Sequence, residues 1–314
     1  MKRFFPTRLL LAAAIALHAC APARAQTGTA AKTDEEFRVF DSAGKPSTLE
    51  EVVGAMGGAD AVLVGEVHDD AVGHRVEAEL LRLAYARFGA GAGGGRAPRA
   101  VAVSLEMFER DVQTVLDEYL AGLISERHFL LSSRPWGNYE TDYRPLVEFA
   151  RAHKLRVIAA NAPARYVSRV ARGGAESLRE LPEASRAWLP PLPVAPASRE
   201  LAANFRRVIG GGADNPAHGS DFLLDAQNLR DAAMAHALAE HLRRDGRALV
   251  IHFTGLFHTA GRLGVPEHLA RFRPRARVLV VTISPRPALT DFDAAAVRNG
   301  SGDFVIITRA ARAR

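Results

Sequence analysis

The feature that most constrains this chain is a series of short, uninterrupted apolar runs rich in β-branched residues. They are Ala61–Val64, Ala100–Leu105, Arg156–Ala160, Ala248–Phe253, Val278–Ile283 and Phe304–Ile307. A strand with one wet face alternates apolar and polar residues, whereas a strand covered on both faces does not. Helical spacing fills the intervals, at Val76, Leu80, Leu81, Leu83 and Ala84, and again at Val112, Val115, Leu116 and Leu120. Further helices are predicted from about Pro145 to Lys154 and from about Asp221 to Arg243, and Gly89–Gly95 reads as a break. Strands alternating with helices predict an α/β fold, a mostly parallel sheet with helices on both faces. The last run, Phe304–Ile307, is expected at an edge of the sheet and antiparallel. Between the third and fourth runs lies an excursion at about 173–220, with Pro190, Pro191, Pro193, Pro196 and Gly210-Gly211-Gly212. Its length and composition predict an inserted helical or loop cap. The length, 314 residues, fits one domain, placed at 39–314.

The first 25 residues read as an address. Lys2, Arg3 and Arg8 precede a short apolar run, Leu9–Leu17, and Ala23-Arg24-Ala25 offers a cleavage site before Gln26. Cys20, the only cysteine, follows Leu17-His18-Ala19 and offers a competing site of lipid attachment, so lipoprotein and soluble mature forms are both open. Residues 26–38 are small and polar, as in a tether. Either form is expected in the periplasm, with outer-membrane attachment only through a lipid anchor. Without residues 1–25, the formal charge of +6 falls to +2, and no dense basic patch speaks for nucleic acid.

In an open parallel sheet, ligands bind beyond the carboxyl ends of the strands. Here the first run ends in Gly65-Glu66-Val67-His68, followed by Asp69, Asp70 and His74. The second ends in Glu106-Met107-Phe108, the third in Asn161-Ala162-Pro163 and the fourth in Thr254-Gly255-Leu256-Phe257-His258. Burying such groups unpaired costs several kcal/mol, so a shared polar site is the economical expectation. Imidazole with carboxylate suits a divalent metal, with His68, Glu106 and His258 as candidate ligands and Zn, Mn or Co as candidate ions. It equally suits acid–base catalysis by Glu66, His68, Glu106 and His258. Asp69, Asp70 or Glu106 could orient a ring. Plainer readings stand beside these. Glu106 could pair with Arg144 or Arg165, His74 could be a solvated helix-start residue, and His252 reads as a buried, satisfied histidine. His128, His153, His218, His236, His241 and His268 are surface candidates.

Several of these segments recur in an order that resembles the ChaN family of bacterial iron-regulated lipoproteins, within the Tiki/TraB superfamily. They are Gly65–His68 with His74, Glu106-Met107-Phe108, Trp136 through Arg144-Pro145-Leu146, Asn161-Ala162-Pro163, Gln227 through Ala235, and Gly255–His258. The resemblance implies a haem-binding protein of the cell envelope that acts in haem or iron uptake. It implies a homodimer holding stacked haems on a tyrosine ligand, with outer-membrane uptake machinery as partner. Tyr139 and Tyr143 match the tyrosine-bearing loop, and phenolate is a reasonable ligand for ferric haem. Arg134 and Arg144 would pair with propionates, and Trp136, Phe129 and the proline-rich excursion would supply apolar walls. Covalent attachment is excluded, because the chain has no Cys-x-x-Cys-His. The wider superfamily implies a second class of function, a metal-dependent hydrolase acting on peptides or esters through the paired Gly-x-x-His segments, with Glu66 or His74 as an alternative general base. A structural or interaction role in the periplasm is the third.

Overall fold

Residues 36–89, 98–209, 220–289 and 302–310 are described by a computed structural model. Residues 1–35, with the expected address and Cys20, and the glycine-rich 90–97 lie outside that set.

Helix starts follow local chemistry. Thr48 caps α1 (Leu49–Met56) through a reciprocal capping box with Glu51. Asp70 caps α2 (Ala71–Phe88) by accepting from the Val72 amide. Pro145 sits in the first turn of α5 (Arg144–Ala152), where its missing N–H costs nothing. The remaining helices are α3 (Gln113–Leu120), α4 (Glu126–Ser133), α6 (Ala164–Gly173), α7 (Glu183–Arg186), α8 (Arg199–Ile209), α9 (Ser220–Arg244) and α10 (Val265–Phe272).

The strands are β1 (Phe37–Asp41), β2 (Pro46–Ser47), β3 (Ala61–Glu66), β4 (Val101–Glu109), β5 (Arg156–Asn161), β6 (Leu249–Gly255), β7 (Val278–Arg286) and β8 (Phe304–Arg309). They form one sheet in the order β2-β1-β8-β7-β3-β6-β4-β5. All pairs from β8 to β5 are parallel, and the two pairs made by β1 are antiparallel. This is the expected fold class, with one correction. Strand β8 is not an antiparallel edge: it lies inside the sheet, parallel to β7, because β1 covers its outer side. That β1 begins at Phe37, within the stretch read as a tether.

Successive side chains on a strand face opposite ways. Val62, Val64, Val103, Leu105, Ile251, Phe253, Val281 and Ile283 join the core shared with α1, α2, α3 and α5. Ala61, Leu63, Ala102, Val250 and Ile158 join the opposite core, shared with α9 and α10. Both layers are dry, so the uninterrupted apolar runs have their expected cause. Truncating a side chain such as Leu63 to alanine costs about 2–5 kcal/mol.

The cap excursion is described up to Ile209, and 210–219, with Gly210-Gly211-Gly212, lies outside the described residues. Leu178 and Leu189 join Tyr166, Val167, Leu229 and Ala233 in a small core between the excursion, α6 and α9. Asn228 of α9 donates to the Ala195 carbonyl at 2.9 Å and accepts from His268 at 2.8 Å, tying excursion and α10 to one helix. His268 is therefore buried rather than a surface residue.

From the centre of the sheet the chain departs in opposite directions. It moves outward from β4 to β5, and the other way from β7 to β8. The carboxyl ends of β3, β6 and β4 meet at that reversal, where crevices form in such sheets.

Candidate functional site

Glu66 is the last residue of β3 and Glu106 lies inside β4, which runs on to Glu109. The β4–β5 register slips between Leu105 and Glu109, an irregularity in the stretch that carries Glu106 and of the kind that re-aims side chains beside a site. Gly255 ends β6, and His258 closes the short 3₁₀ turn after it.

The two Gly-x-x-His segments meet. A Cβ on Gly255 would lie 3.0 Å from Cε1 and Nε2 of the His68 ring, and one on Gly65 would lie 2.9 Å from Leu256 Cα. Each glycine thus makes room for the other motif. His68 Nδ1 lies 2.9 Å from Glu66 Oε1, while its side chain is 47% exposed. The Glu66 bond sets Nδ1 as donor and leaves Nε2 as the basic nitrogen. Burial pulls this ring's pKa down, but the Glu66 bond and the charges of Glu106 and Glu66 outweigh it and hold it above the usual range. Trp136 packs edge-on to the ring at 4.5 Å.

His258 is buried between two carboxylates. Nδ1 lies 2.5 Å from Asp231 Oδ1 and Nε2 lies 3.2 Å from Glu106 Oε1. Burial opposes its charge, yet Glu106 and Asp231 push its pKa up to about 10. Glu106 carries the compensating charge. Burial alone would raise its pKa, but the imidazolium and donors from Thr254 (2.7 Å) and the Gly255 amide (2.8 Å) hold it far below the usual range. Asp231 is pushed upward, because burial, with the charges of Glu106 and Glu267, outweighs the help of His258.

Behind His68 lies a second, fully buried group. His74 Nδ1 is 3.0 Å from Glu77 Oε2 and 3.2 Å from Glu66 Oε2, and the Tyr143 hydroxyl donates to Glu66 Oε1 at 2.6 Å. His74 Nε2 and the Asn138 amide both donate to the His68 carbonyl, at 3.1 and 2.7 Å.

These facts revise several expectations. Glu106 pairs with His258, while Arg144 binds Glu126 and Arg165 binds Asp111. His74 is buried in the cluster, not solvated. Asp70 caps its helix instead of orienting a ring. His68, Glu106 and His258 do adjoin. They do not share a set of ligand atoms that all lie within 4.8 Å of one another. Among the described residues, the group with converging donor atoms is Glu66, His74 and Glu77.

The four residues matched to haem contacts are placed as follows. Arg134 adopts a left-handed conformation after α4 and pairs with Glu109 and Asp111. Arg144 pairs with Glu126. A π-turn, Tyr139–Tyr143, carries both tyrosines. Tyr143 is committed to Glu66. Tyr139 packs against Phe108 and Phe129, and its hydroxyl is buried without a partner. Tyr139 and Arg144 line one cavity of about 420 Å³ with Leu130, Leu131 and Arg127. Phe129 stacks on Tyr119 in the core instead of walling that cavity.

Asp231 and Glu77 are members of these clusters that the strand ends do not point to. The signals exist in the sequence. Glu77 shares the helical face of His74, Leu81 and Ala84, and Asp231 precedes the small apolar run Ala232-Ala233-Met234-Ala235.

The family described as "Haem-binding uptake, Tiki superfamily, ChaN" matches residues 52–269. No curated protein matches the chain significantly by sequence. Among solved structures, ChaN of Campylobacter jejuni with cofacially bound haem is 18% identical, with a TM-score of 0.59 over 88% of this chain and 98% of that one. The type III effector HopBA1 is 11% identical, with a TM-score of 0.45 over 83% and 93% of the two chains. An erythromycin esterase variant, EreC in its open conformation, is 14% identical, with a TM-score of 0.44 over 88% and 84%. At these identities the likeness to the Campylobacter protein shows the fold.

Proposed function

Because the chain belongs to the ChaN family of haem-binding uptake proteins in the Tiki superfamily, we propose that it binds haem as cargo in the cell envelope, at the cavity beside Tyr139. The observation that carries this reading is the orphaned Tyr139 hydroxyl. A buried phenol with no acceptor costs about 1–3 kcal/mol, and ferric iron would satisfy it as phenolate. The donor set fits. Leu130 and Leu131 give apolar walls and Arg127 offers a guanidinium to a propionate, while Arg144 is held by Glu126, which lines the cavity with Glu140. Arg134 lies outside this cavity lining and keeps its two carboxylate partners. Leu131, 70% exposed, gives the cavity an apolar rim that a second copy can cover, as a cofacial pair of haems requires. The uptake machinery of the outer membrane is the proposed recipient or donor. Attachment there goes through Cys20. Labelled palmitate tests this, since incorporation should vanish in Cys20→Ser, and a mature N-terminus at Gln26 refutes it.

Haem titration tests the binding. Wild type should give a Soret band that Tyr139→Phe weakens at least about tenfold in affinity, equivalent to about 1.4 kcal/mol. Tyr143→Phe should weaken it less, since that hydroxyl serves Glu66. Absence of any Soret change with wild type removes the proposal.

A second reading rests on the Glu66–His68 pair. A half-exposed imidazole whose Nδ1 is held by a buried carboxylate presents Nε2 as a general base, the arrangement of a hydrolase acting on esters or peptides. Glu106 and His258 would supply fixed charge beside it. Ester turnover lost in His68→Ala but retained in Tyr139→Phe supports this reading, and identical turnover in wild type and His68→Ala removes it.

A further inference from the structure

We propose that Glu66, His74 and Glu77 form a buried divalent-cation site, of the class taken by Mn²⁺, Fe²⁺, Co²⁺ or Zn²⁺, distinct from the haem cavity and from the Glu106–His258 edge. The three residues offer one donor atom each within 4.8 Å of one another, and none is exposed beyond 3%.

Hydrogen bonding points the ring into the site. His74 Nε2 donates to the His68 carbonyl, so Nδ1 faces Glu77 Oε2 at 3.0 Å and Glu66 Oε2 at 3.2 Å. Between that nitrogen and the two carboxylate oxygens there is a place for a proton, as in an imidazolium, or for a metal ion that replaces it. The backbone bond at the far ring nitrogen is the support that metal-bound histidines commonly have. Tyr143 holds the other oxygen of Glu66 in the same way.

Polar satisfaction gives an independent sign. Glu66 Oε2 and Glu77 Oε1 are buried without a hydrogen-bond donor. Glu77 is wholly inaccessible, and an oxygen of a buried carboxylate left without a donor costs free energy. Two carboxylates, a neutral imidazole and a divalent ion would carry no net charge into the interior. Two oxygens and one nitrogen suit borderline ions rather than Ca²⁺, which wants six or more oxygens. His74 also lines a cavity of about 660 Å³ together with Asp142, Glu79 and Thr141.

The test uses the purified full chain, stripped with chelator and titrated with Co²⁺, with metal content measured after gel filtration. One Co²⁺ per chain and a visible d–d band are expected in wild type. His68→Ala should keep both. Glu77→Gln should weaken binding by more than the roughly 10–100-fold typical of losing an outer partner. Wild type that retains no stoichiometric Co²⁺ overturns the site, as does Co²⁺ binding lost in His68→Ala but kept in Glu77→Gln. Should Glu77→Gln fail to fold, the wild-type melting temperature decides: it should rise with Mn²⁺ or Co²⁺ but not with Mg²⁺, and no rise overturns the proposal. Haem titration is read separately, so either result can fail alone.

Discussion

The α-carbon of Gly255 is the surface against which the His68 imidazole rests, with no room for a methyl group at van der Waals distance between them. The first motif's histidine is positioned by the second motif's glycine. Gly255→Ala should therefore leave the fold intact, because a half-exposed ring can swing away, at a cost of about 1 kcal/mol or less. The ring then loses Glu66, and its pKa should fall toward the ordinary histidine value in an NMR titration. Gly65→Ala is the contrast. Its Cβ would meet Leu256 backbone at 2.9 Å, and denaturant unfolding should show a loss of several kcal/mol, of the order of 3.

Removing one partner from the His258 charge pair should be expensive. Asp231→Asn leaves the imidazolium with Glu106 alone in a dry site, and about 3–5 kcal/mol of unfolding free energy should disappear. The pH dependence follows from the raised pKa. The stabilisation from His258 is full below its ordinary 6.5 and is lost as pH rises through about 10. Wild-type stability should decline from pH 7 to pH 10, and unfolding curves that do not move over that range contradict the pairing.

His252 acts on the acid side. It is buried in β6, receives or gives one hydrogen bond with Ser104 at 3.0 Å, and burial lowers its pKa to about 4. A histidine with a lowered pKa contributes stability present above 6.5 and lost as pH falls through the folded value. On the order of 3 kcal/mol should vanish between pH 6.5 and pH 4. His252→Leu should flatten that limb in urea titrations, and an unchanged slope would assign it to other groups such as His268.

The two tyrosines of the π-turn should respond oppositely in the haem-free protein. Tyr139→Phe deletes a hydroxyl that has no partner, so stability should stay level or rise by about 1 kcal/mol. Tyr143→Phe removes the donor to Glu66 and should cost about 1–3 kcal/mol. Thermal melts of both variants check this, and equal destabilisation would contradict the unpartnered placement of Tyr139.

Much of this was legible without coordinates because burial on both faces leaves an unmistakable imprint. Leu63 and Val64 have dry neighbours on opposite sides, so neither position tolerates a polar residue, and the strand announces itself. The meeting of Gly65–His68 with Gly255–His258 was legible for a related reason: adjacent parallel strands end at one edge. The place of β8 was not, since an apolar run carries no mark of which strand lies beside it. Nor was the fate of His74. A histidine four residues past an aspartate cap reads as solvated, and only the approach of Tyr143 from another helix makes it interior. The arginines misled for the opposite reason. Arg144 and Arg165 are long enough to reach many carboxylates, so spacing could not choose Glu126 and Asp111 over Glu106.

The π-turn packs two addresses into five residues: the phenol at its start borders the outer cavity, and the phenol at its end borders the buried carboxylates. A wide turn has one surplus residue, which can be taken up or released by small torsional changes without unravelling the helix that follows. The two rings are joined by only three intervening residues, Glu140, Thr141 and Asp142, so the stretch of backbone that sets one phenol also sets the other.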